Sequence, residues 1–322
     1  MPRVRTGDKG IVAVLTADWH LSYTAPRARA EEDWLSVIDS VMDQLRTLQG
    51  NEPIPIIVAG DLFDRHNPPL ALVNSLLRML PPNLFAIPGN HDLPHHRFGD
   101  MFLSAFGTMV EAGRVRVLLP KQPFDLSTRV SPLRIHSFPC GFAIKPLKDP
   151  HDLVLEIAVV HEYFWTKKTG HAQASPKQRL GRQKERFAGY DVVVVGDNHI
   201  PWSCELSTIS TYNCITTVFN AGSLFRRTID QINHKPSVGL LHPDGSVTRH
   251  YLDCSRDQFR SEEELRGLQP YPLGDLSEFI ENVGQLQTAV LDFRSAVEQV
   301  LEQKQVTKVI KRIVLQALEG KT

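Results

Sequence analysis

Five short apolar runs in this chain end in side chains able to hold a metal ion. Residues 11–15 lead to Asp18 and His20, residues 53–59 to Gly60-Asp61, and residues 84–87 to Pro88-Gly89-Asn90-His91-Asp92. Further on, residues 153–160 lead to His161-Glu162 and residues 191–195 to Gly196-Asp197-Asn198-His199. Short β-branched and aliphatic runs bounded by Gly, Pro or Asp read as buried strands. Between the first three runs, Trp34, Ile38, Val41, Leu45 and Leu48 recur at helical spacing, and residues 70–80 form a second amphipathic segment closed by Pro81-Pro82. Strand, helix, strand, helix, strand is the pattern of a layered α/β arrangement, in which polar residues at the C-terminal ends of strands form the site.

The rest of the chain adds strands at residues 115–119, 133–138 and 216–220. Residues 237–241 and 246–251 read as a hairpin around Pro243-Asp244-Gly245. Residues 165–187 carry Lys167, Lys168, Lys177, Arg179, Arg182, Lys184 and Arg186 against a single acid, Glu185. Such a run is either a solvated surface or a contact for a polyanion. From Glu262 onward helical spacing takes over, through Leu286, Val290, Phe293, Val297 and Leu301, then Val306, Ile310, Ile313 and Ala317. With Pro270 and Pro272 in the connection, the expected division is a main domain over residues 1–255 and a helical extension over residues 256–322.

Composition limits the partners. The 36 basic and 36 acidic residues cancel, so a nucleic acid would have to be met by a local patch. Four cysteines without C-x-x-C spacing, and no long apolar span, lead to the expectation of a reduced, cytoplasmic protein with free thiols and no membrane contact.

The donors gathered at the strand ends are Asp18, His20, Asp61, Asn90, His91, His161, Asp197 and His199. They are imidazoles, carboxylates and an amide, without cysteine, and suit borderline divalent ions such as Mn, Fe or Zn. Any one of these turns is more often incidental than functional. Five independent strand ends of one kind are not. A carboxylate shared between two ions about 3.5–4 Å apart would use the whole set.

Asp18-x-His20, Gly60-Asp61, Gly89-Asn90-His91-Asp92, His161 and the Gly196 to His199 turn, in this order, resemble the calcineurin-like metallophosphoesterase superfamily over roughly residues 10–250. The resemblance implies a layered β-sandwich flanked by helices. It implies that Asp18, His20 and His199 bind one metal, Asn90 and His161 a second, and Asp61 both. His91 would face the scissile phosphate. Gly60-Asp61-Leu62-Phe63-Asp64 with Pro68-Pro69, and Asn220-Ala221-Gly222-Ser223-Leu224, resemble the SbcD-like branch of DNA repair nucleases, with a phage flavour. That narrower likeness implies a Mn-dependent exonuclease and endonuclease (Mg or another divalent ion being the alternative). Its partners would be DNA and an SbcC-type ABC ATPase with a coiled coil, bound through the C-terminal helices. Homodimerisation through helices beside the site is also implied. Lys167, Lys168, Arg179, Arg182, Lys184 and Arg186 would meet the nucleic acid, with Phe164, Trp165 and Trp202 either stacking bases or packing the core. Arg226 and Arg227 are either phosphate contacts or part of a surface turn.

One departure from the family pattern stands out. The usual Gly-His-x-His is Gly196-Asp197-Asn198-His199 here, so Asp197 stands where an imidazole would hold the second metal. A carboxylate there implies a harder metal preference, or a weakened second site. Two other readings stay open: a phosphoesterase for a small diester or a phosphoprotein, and a scaffold of the same fold with weakened catalysis.

Overall fold

The computed structural model describes residues 10–51, 53–151, 153–171, 174–207 and 215–268. The first strand, β1 (Ala13–Thr16), is followed by α1 (Trp34–Gln49), β2 (Ile56–Ala59), α2 (Leu70–Met79) and β3 (Leu84–Ile87). A short helix α3 (Ala105–Glu111) then precedes β4 (Arg116–Val117), β5 (Phe124–Ser127), β6 (Pro132–Phe138) and β7 (Leu155–His161). The turn-sized α4 (Leu180–Gln183) leads to β8 (Val192–Gly196), β9 (Trp202–Ser207), β10 (Ile215–Asn220), β11 (Ser237–Leu241) and β12 (Val247–Tyr251).

These strands form two six-stranded mixed sheets, in the orders β12-β11-β1-β2-β3-β4 and β5-β6-β7-β8-β10-β9. In the first, β1 to β4 run parallel and β11, hairpin partner of β12, lies antiparallel to β1. In the second, β6, β7, β8 and β10 run parallel between antiparallel edges.

The period of two along each strand sorts the side chains into layers. Ala13 and Leu15, Ile57 and Ala59, Phe85 and Ile87 face Ile135, Ile157, Val159, Val192, Val194 and Phe219 of the other sheet, and this is the core between the sheets. The alternate residues Val14, Ile56, Val58, Leu84 and Ala86 face outward, onto Ile38, Met42 and Leu45 of α1 and Leu72 and Leu76 of α2. On the far side Ala158, Val160, Val193, Val195 and Val218 are covered by Phe164, Leu180, Phe187 and Tyr190. With both faces covered, β7 and β8 are buried along their whole length, which is why their sequences are largely apolar, Glu156 of β7 being buried on its bonds to His136 and His151 N–H.

The β-sandwich flanked by helices is thus the observed fold. Helix α1 starts where Asp33 caps Ser36 N–H (3.2 Å), and its buried residues keep the three-to-four spacing read from sequence. Three elements escaped that reading: β5 and β9, edge strands with alternating exposure, and α3, too short at seven residues to show a period. The basic stretch after His161 supplies Leu180 and Phe187 to the outer core and turns its charges outward.

The chain divides into two units, Met1–Ser261 and Glu262–Thr322. Of the second, α5 (Glu262–Gly267) is described, and the helices expected between residues 286 and 318 lie outside the described residues. Cys140, Cys204 and Cys254 are free thiols, and Cys214 lies outside the described residues. Among the described residues no helix is long and apolar enough to cross a membrane.

Ile157 sits between the sheets with no solvent exposure. Ile157→Ala is expected to cost about 2–5 kcal/mol of stability, measured by chemical denaturation, while leaving metal stoichiometry unchanged.

Candidate metal centre

The ladder that pairs β1 with β2 continues past the strand ends. Asp18 N–H donates to Gly60 O (3.1 Å), His20 N–H to Asp61 O (2.9 Å) and Leu21 N–H to Leu62 O (3.0 Å). The two donor-bearing turns therefore run side by side. Keeping that course puts Asp18 (φ 53°), His20 (47°) and Asp61 (52°) in left-handed backbone, and Asp197 (76°) does the same after β8. Such conformations cost non-glycine residues about 1–3 kcal/mol each and persist only where the surroundings hold them.

Asp92 does much of that holding. Its buried carboxylate accepts from Phe63 N–H (2.8 Å), Gly89 N–H (3.0 Å) and Leu62 N–H (3.1 Å), tying the turn after β3 to the turn after β2. All three of these partners are backbone groups. Gly89 is required at this junction, because a Cβ there would collide with the Asp61 carboxylate.

The second sheet joins at His161, the last residue of β7. Its Nδ1 lies 2.8 Å from Ala59 O, and because a carbonyl can only accept, Nδ1 carries the proton. Gly60 lies against this ring with φ 91°, a position where any Cβ would meet His161 Nδ1. His161 Nε2 then faces Asn90 Oδ1 (3.0 Å) and Asp61 Oδ2 (3.5 Å), as a donor while the ring is charged and as a lone pair once it is neutral. On the other side His20 Nε2 lies 3.0 Å from His199 Nε2 and 3.6 Å from Asp61 Oδ2. Lone pairs converging in this way repel unless a proton or a cation lies between them. That convergence, and an all nitrogen and oxygen donor set, fit a pair of divalent ions sharing Asp61.

The electrostatics agree. Burial pushes the Asp18 carboxyl well above the usual carboxylate range, against the pull of the His161 charge. Burial also holds His20 well below the usual imidazole range and lowers His199. For Asp61 and His161 burial opposes both charges, yet each charge stabilises the other, so the carboxyl is held low and the imidazole high. Burial and the Asp61 charge raise Asp92 to about 7, against its three N–H donors.

Asp18, His20 and His199 lie within 4.8 Å of one another, as do Asp18, Asp61 and His161. With Asn90 against His161, six of the seven proposed ligands meet. The carboxylate of Asp197 belongs to no such cluster among the described residues. Its backbone N–H donates to both Asp18 oxygens (2.9 and 3.2 Å), and its charge raises the pKa of both Asp18 and His161.

His91 forms a third cluster with His20 and Asp64. Its N–H donates to Asp61 Oδ1 (2.9 Å), its Nδ1 donates to Asp64 O (2.7 Å), and its ring meets His20 edge-on at 4.7 Å. Several supporting contacts had no signal in sequence. His96 Nδ1 holds Asn90 O (3.1 Å), and Asn198 Nδ2 ties the Gly196 to His199 turn to Phe164 O (2.8 Å) and Thr169 O (3.2 Å). The loop after β10 docks through Ser223 N–H on His199 O (3.1 Å) and Leu224 N–H on Asp18 O (3.2 Å). Arg227 pairs with the Asp64 carboxylate, and Arg226 pairs away from the centre with Asp257 (2.7 Å).

The residues expected to meet nucleic acid separate into two groups. Lys167, Lys168 and Arg182 sit toward solvent on the segment after β7. Arg186 is bound to Glu162 (2.5 and 2.8 Å) over the Phe164 ring, Arg179 stacks on Trp165 at 5.9 Å, and Lys184 lies 3.7 Å from Glu185. Phe164 and Trp202 are core residues, so of the two roles open to them packing is the one they fill; Trp165 donates from Nε1 to Ser175 O (2.9 Å).

The family model described as calcineurin-like phosphoesterase matches residues 12–201, more than half of the chain. No curated protein matches it. Among solved structures, the chain is similar to the NAD nucleotidase of Haemophilus influenzae (13% identity, TM-score 0.42) and to a 5'-nucleotidase precursor from Thermus thermophilus (13% identity, TM-score 0.43). The matches cover 79% of this chain in both cases, and 54% and 56% of those proteins, so the chain spans just over half their length.

Asp92→Asn replaces an acceptor oxygen by an NH₂ group facing backbone donors. It is expected to destabilise the metal-free chain by about 1–3 kcal/mol, measured by urea denaturation, and to weaken metal binding in calorimetry because both donor turns loosen.

Proposed function

The chain belongs to the calcineurin-like phosphoesterase family, and from that premise we propose that it is a two-metal phosphodiesterase acting on DNA, with Mn as its working ion. The observation that carries the phosphoesterase reading is the place of Asp61, whose Oδ2 lies 3.6 Å from His20 Nε2 and 3.5 Å from His161 Nε2. One carboxylate between two imidazoles from different sheets is the arrangement a shared ligand needs. Asp18, His20 and His199 would hold one ion, Asn90, His161 and Asp197 the other, and Asp61 both. Bound there, the ions supply Lewis acidity toward the phosphate oxygens and make an attacking water more acidic.

The chain's own contribution is orientation and proton transfer. His91 commits its Nδ1 proton to Asp64 O, which leaves Nε2 for the substrate. Protonated, that nitrogen donates to the departing alkoxide; neutral, it can only accept. The turns that hold Asp61 and Asn90 are fixed by Asp92, so His91 N–H, donating to Asp61 Oδ1, keeps acid and ligand in register.

Support for DNA as substrate is the motif likeness to SbcD-type nucleases and the outward-facing Lys167, Lys168 and Arg182 on the segment that follows His161. In this reading the helices expected between residues 286 and 318 bind an SbcC-type ATPase, and the product is a processed DNA end. A small phosphodiester substrate is the second reading. It is favoured by the burial of Phe164 and Trp202 and by the engagement of Arg186 with Glu162, which leave fewer groups to grip a polymer.

The deciding assay measures hydrolysis of single- and double-stranded DNA and of bis(p-nitrophenyl) phosphate with Mn, Mg and Zn, for wild type and Asp197→His. DNA cleavage with Mn is expected, with Zn tolerated better by Asp197→His. Turnover of the small ester with no cleavage or binding of DNA, with or without the ATPase, would replace the first reading by the second. His91→Ala is expected to lower kcat by about 10²–10⁴-fold with metal content unchanged.

Metal binding is also expected to depend on pH. The His161 imidazole is held above its ordinary value in the metal-free chain and must lose its proton to ligate. Affinity therefore falls as pH drops through that raised value. Binding near or below it releases protons, detectable as a buffer-dependent enthalpy in calorimetry.

A further inference from the structure

Arg227 takes no part in holding the ligands, yet it is fixed beside them. Its backbone N–H donates to Gln231 Oε1 (2.7 Å), within a turn where Thr228 and Gln231 cap one another. Its guanidinium pairs through Nη2 with the Asp64 carboxylate. Asp64 is itself anchored, with its N–H on Leu21 O (3.1 Å) and its carbonyl on His91 Nδ1 (2.7 Å). One residue therefore positions both His91 and Arg227, the first through its main chain and the second through its side chain. Arg227 also makes protonation of His20 and His199 less favourable, so its charge is felt across the first cluster.

Two features point to a ligand beside this pair. Arg227 Nε is buried and finds no hydrogen-bond partner among the described residues. Leaving a charged donor unsatisfied is unfavourable, and a surface tie does not require it. The centre also gathers the carboxylates of Asp18 and Asp61 and feels the charge of Asp197, a field that repels an anionic substrate. Arg227 brings a positive charge to that field, held in place by its pairing with Asp64.

We propose that Arg227 receives a non-bridging oxygen of the scissile phosphate, with Asp64 as the residue that positions it. The inference deepens the phosphoesterase reading and rests on it. A planar guanidinium presents two parallel N–H groups to a phosphate, which an ammonium cannot reproduce. The donor set serves a diester or a monoester alike, because both present non-bridging oxygens.

The test compares wild type, Arg227→Ala and Arg227→Lys as full-length, Mn-loaded proteins. Inorganic phosphate binding is followed by calorimetry, KM and kcat with bis(p-nitrophenyl) phosphate, and Mn content by elemental analysis. Circular dichroism establishes that each variant is folded. Arg227→Ala is expected to weaken phosphate binding and raise KM by about tenfold or more with Mn content unchanged, and Arg227→Lys to recover only part of the loss. Phosphate affinity within about twofold of wild type in Arg227→Ala would overturn the proposal. So would a loss of Mn that accounts for the whole effect, or full recovery of phosphate affinity by lysine. Phosphate binding needs no turnover, so the two readings separate. A wild type that binds phosphate in an Arg227-dependent manner but hydrolyses no ester sinks the phosphoesterase reading and keeps the arginine contact, whereas a Mn-loaded wild type that binds no phosphate overturns the arginine proposal itself.

Discussion

The hydrogen bond between His161 Nδ1 and Ala59 O is the point on which the centre depends. It joins the end of β7 in one sheet to the end of β2 in the other, and it decides which imidazole nitrogen is free. With one proton committed to a carbonyl, Nε2 is the nitrogen that faces Asn90 and Asp61, and it can ligate once the ring is neutral. Backbone acceptors of this kind fix both the tautomer and the ring plane of a ligating histidine. The packing of two sheets thereby becomes a statement about coordination chemistry.

Strain is the second constraint. Asp18, His20, Asp61 and Asp197 all take left-handed backbone where their strands end. The strain is offset by bonds that are themselves buried, above all the three N–H groups on Asp92 and the continuation of the β1–β2 ladder into the two turns. Because these bonds are buried, water does not compete for them. The charges follow the same logic: burial disfavours the charged forms of Asp18 and His20, whereas Asp61 and His161 keep theirs by stabilising one another.

Much of this was legible in the residues. The apolar runs ending in Asp, Asn and His located the strand ends, because a buried strand with both faces covered has no other way to look in sequence. The periodicity of Trp34, Ile38, Val41 and Leu45 marked α1 for the same reason. Edge strands such as β9 carried no comparable signal, since exposure and burial alternate along them and single polar residues blur the pattern. Asp92 was visible as part of a motif but its partners were not: three backbone N–H groups from two turns leave no trace in residue identity. Phe164 and Trp202 read equally as stacking or packing residues, and only their burial against β7, β8 and β10 assigns them to the core.

Residue order by itself determined the alternation of strands and helices, the kind of donors at each strand end, and the substitution of Asp197 for an imidazole. Those properties are local, written in hydrophobic period and side-chain chemistry. The tertiary structure alone decided which donors meet: that Asp61 stands between His20 and His161, that the Asp197 carboxylate joins none of the ligand clusters among the described residues, and that Arg227 and Asp64, 163 positions apart, form one unit with His91. The physical reason is distance. A sequence specifies what each turn carries, whereas the packing of two sheets against one another sets which turns come within a hydrogen bond's reach.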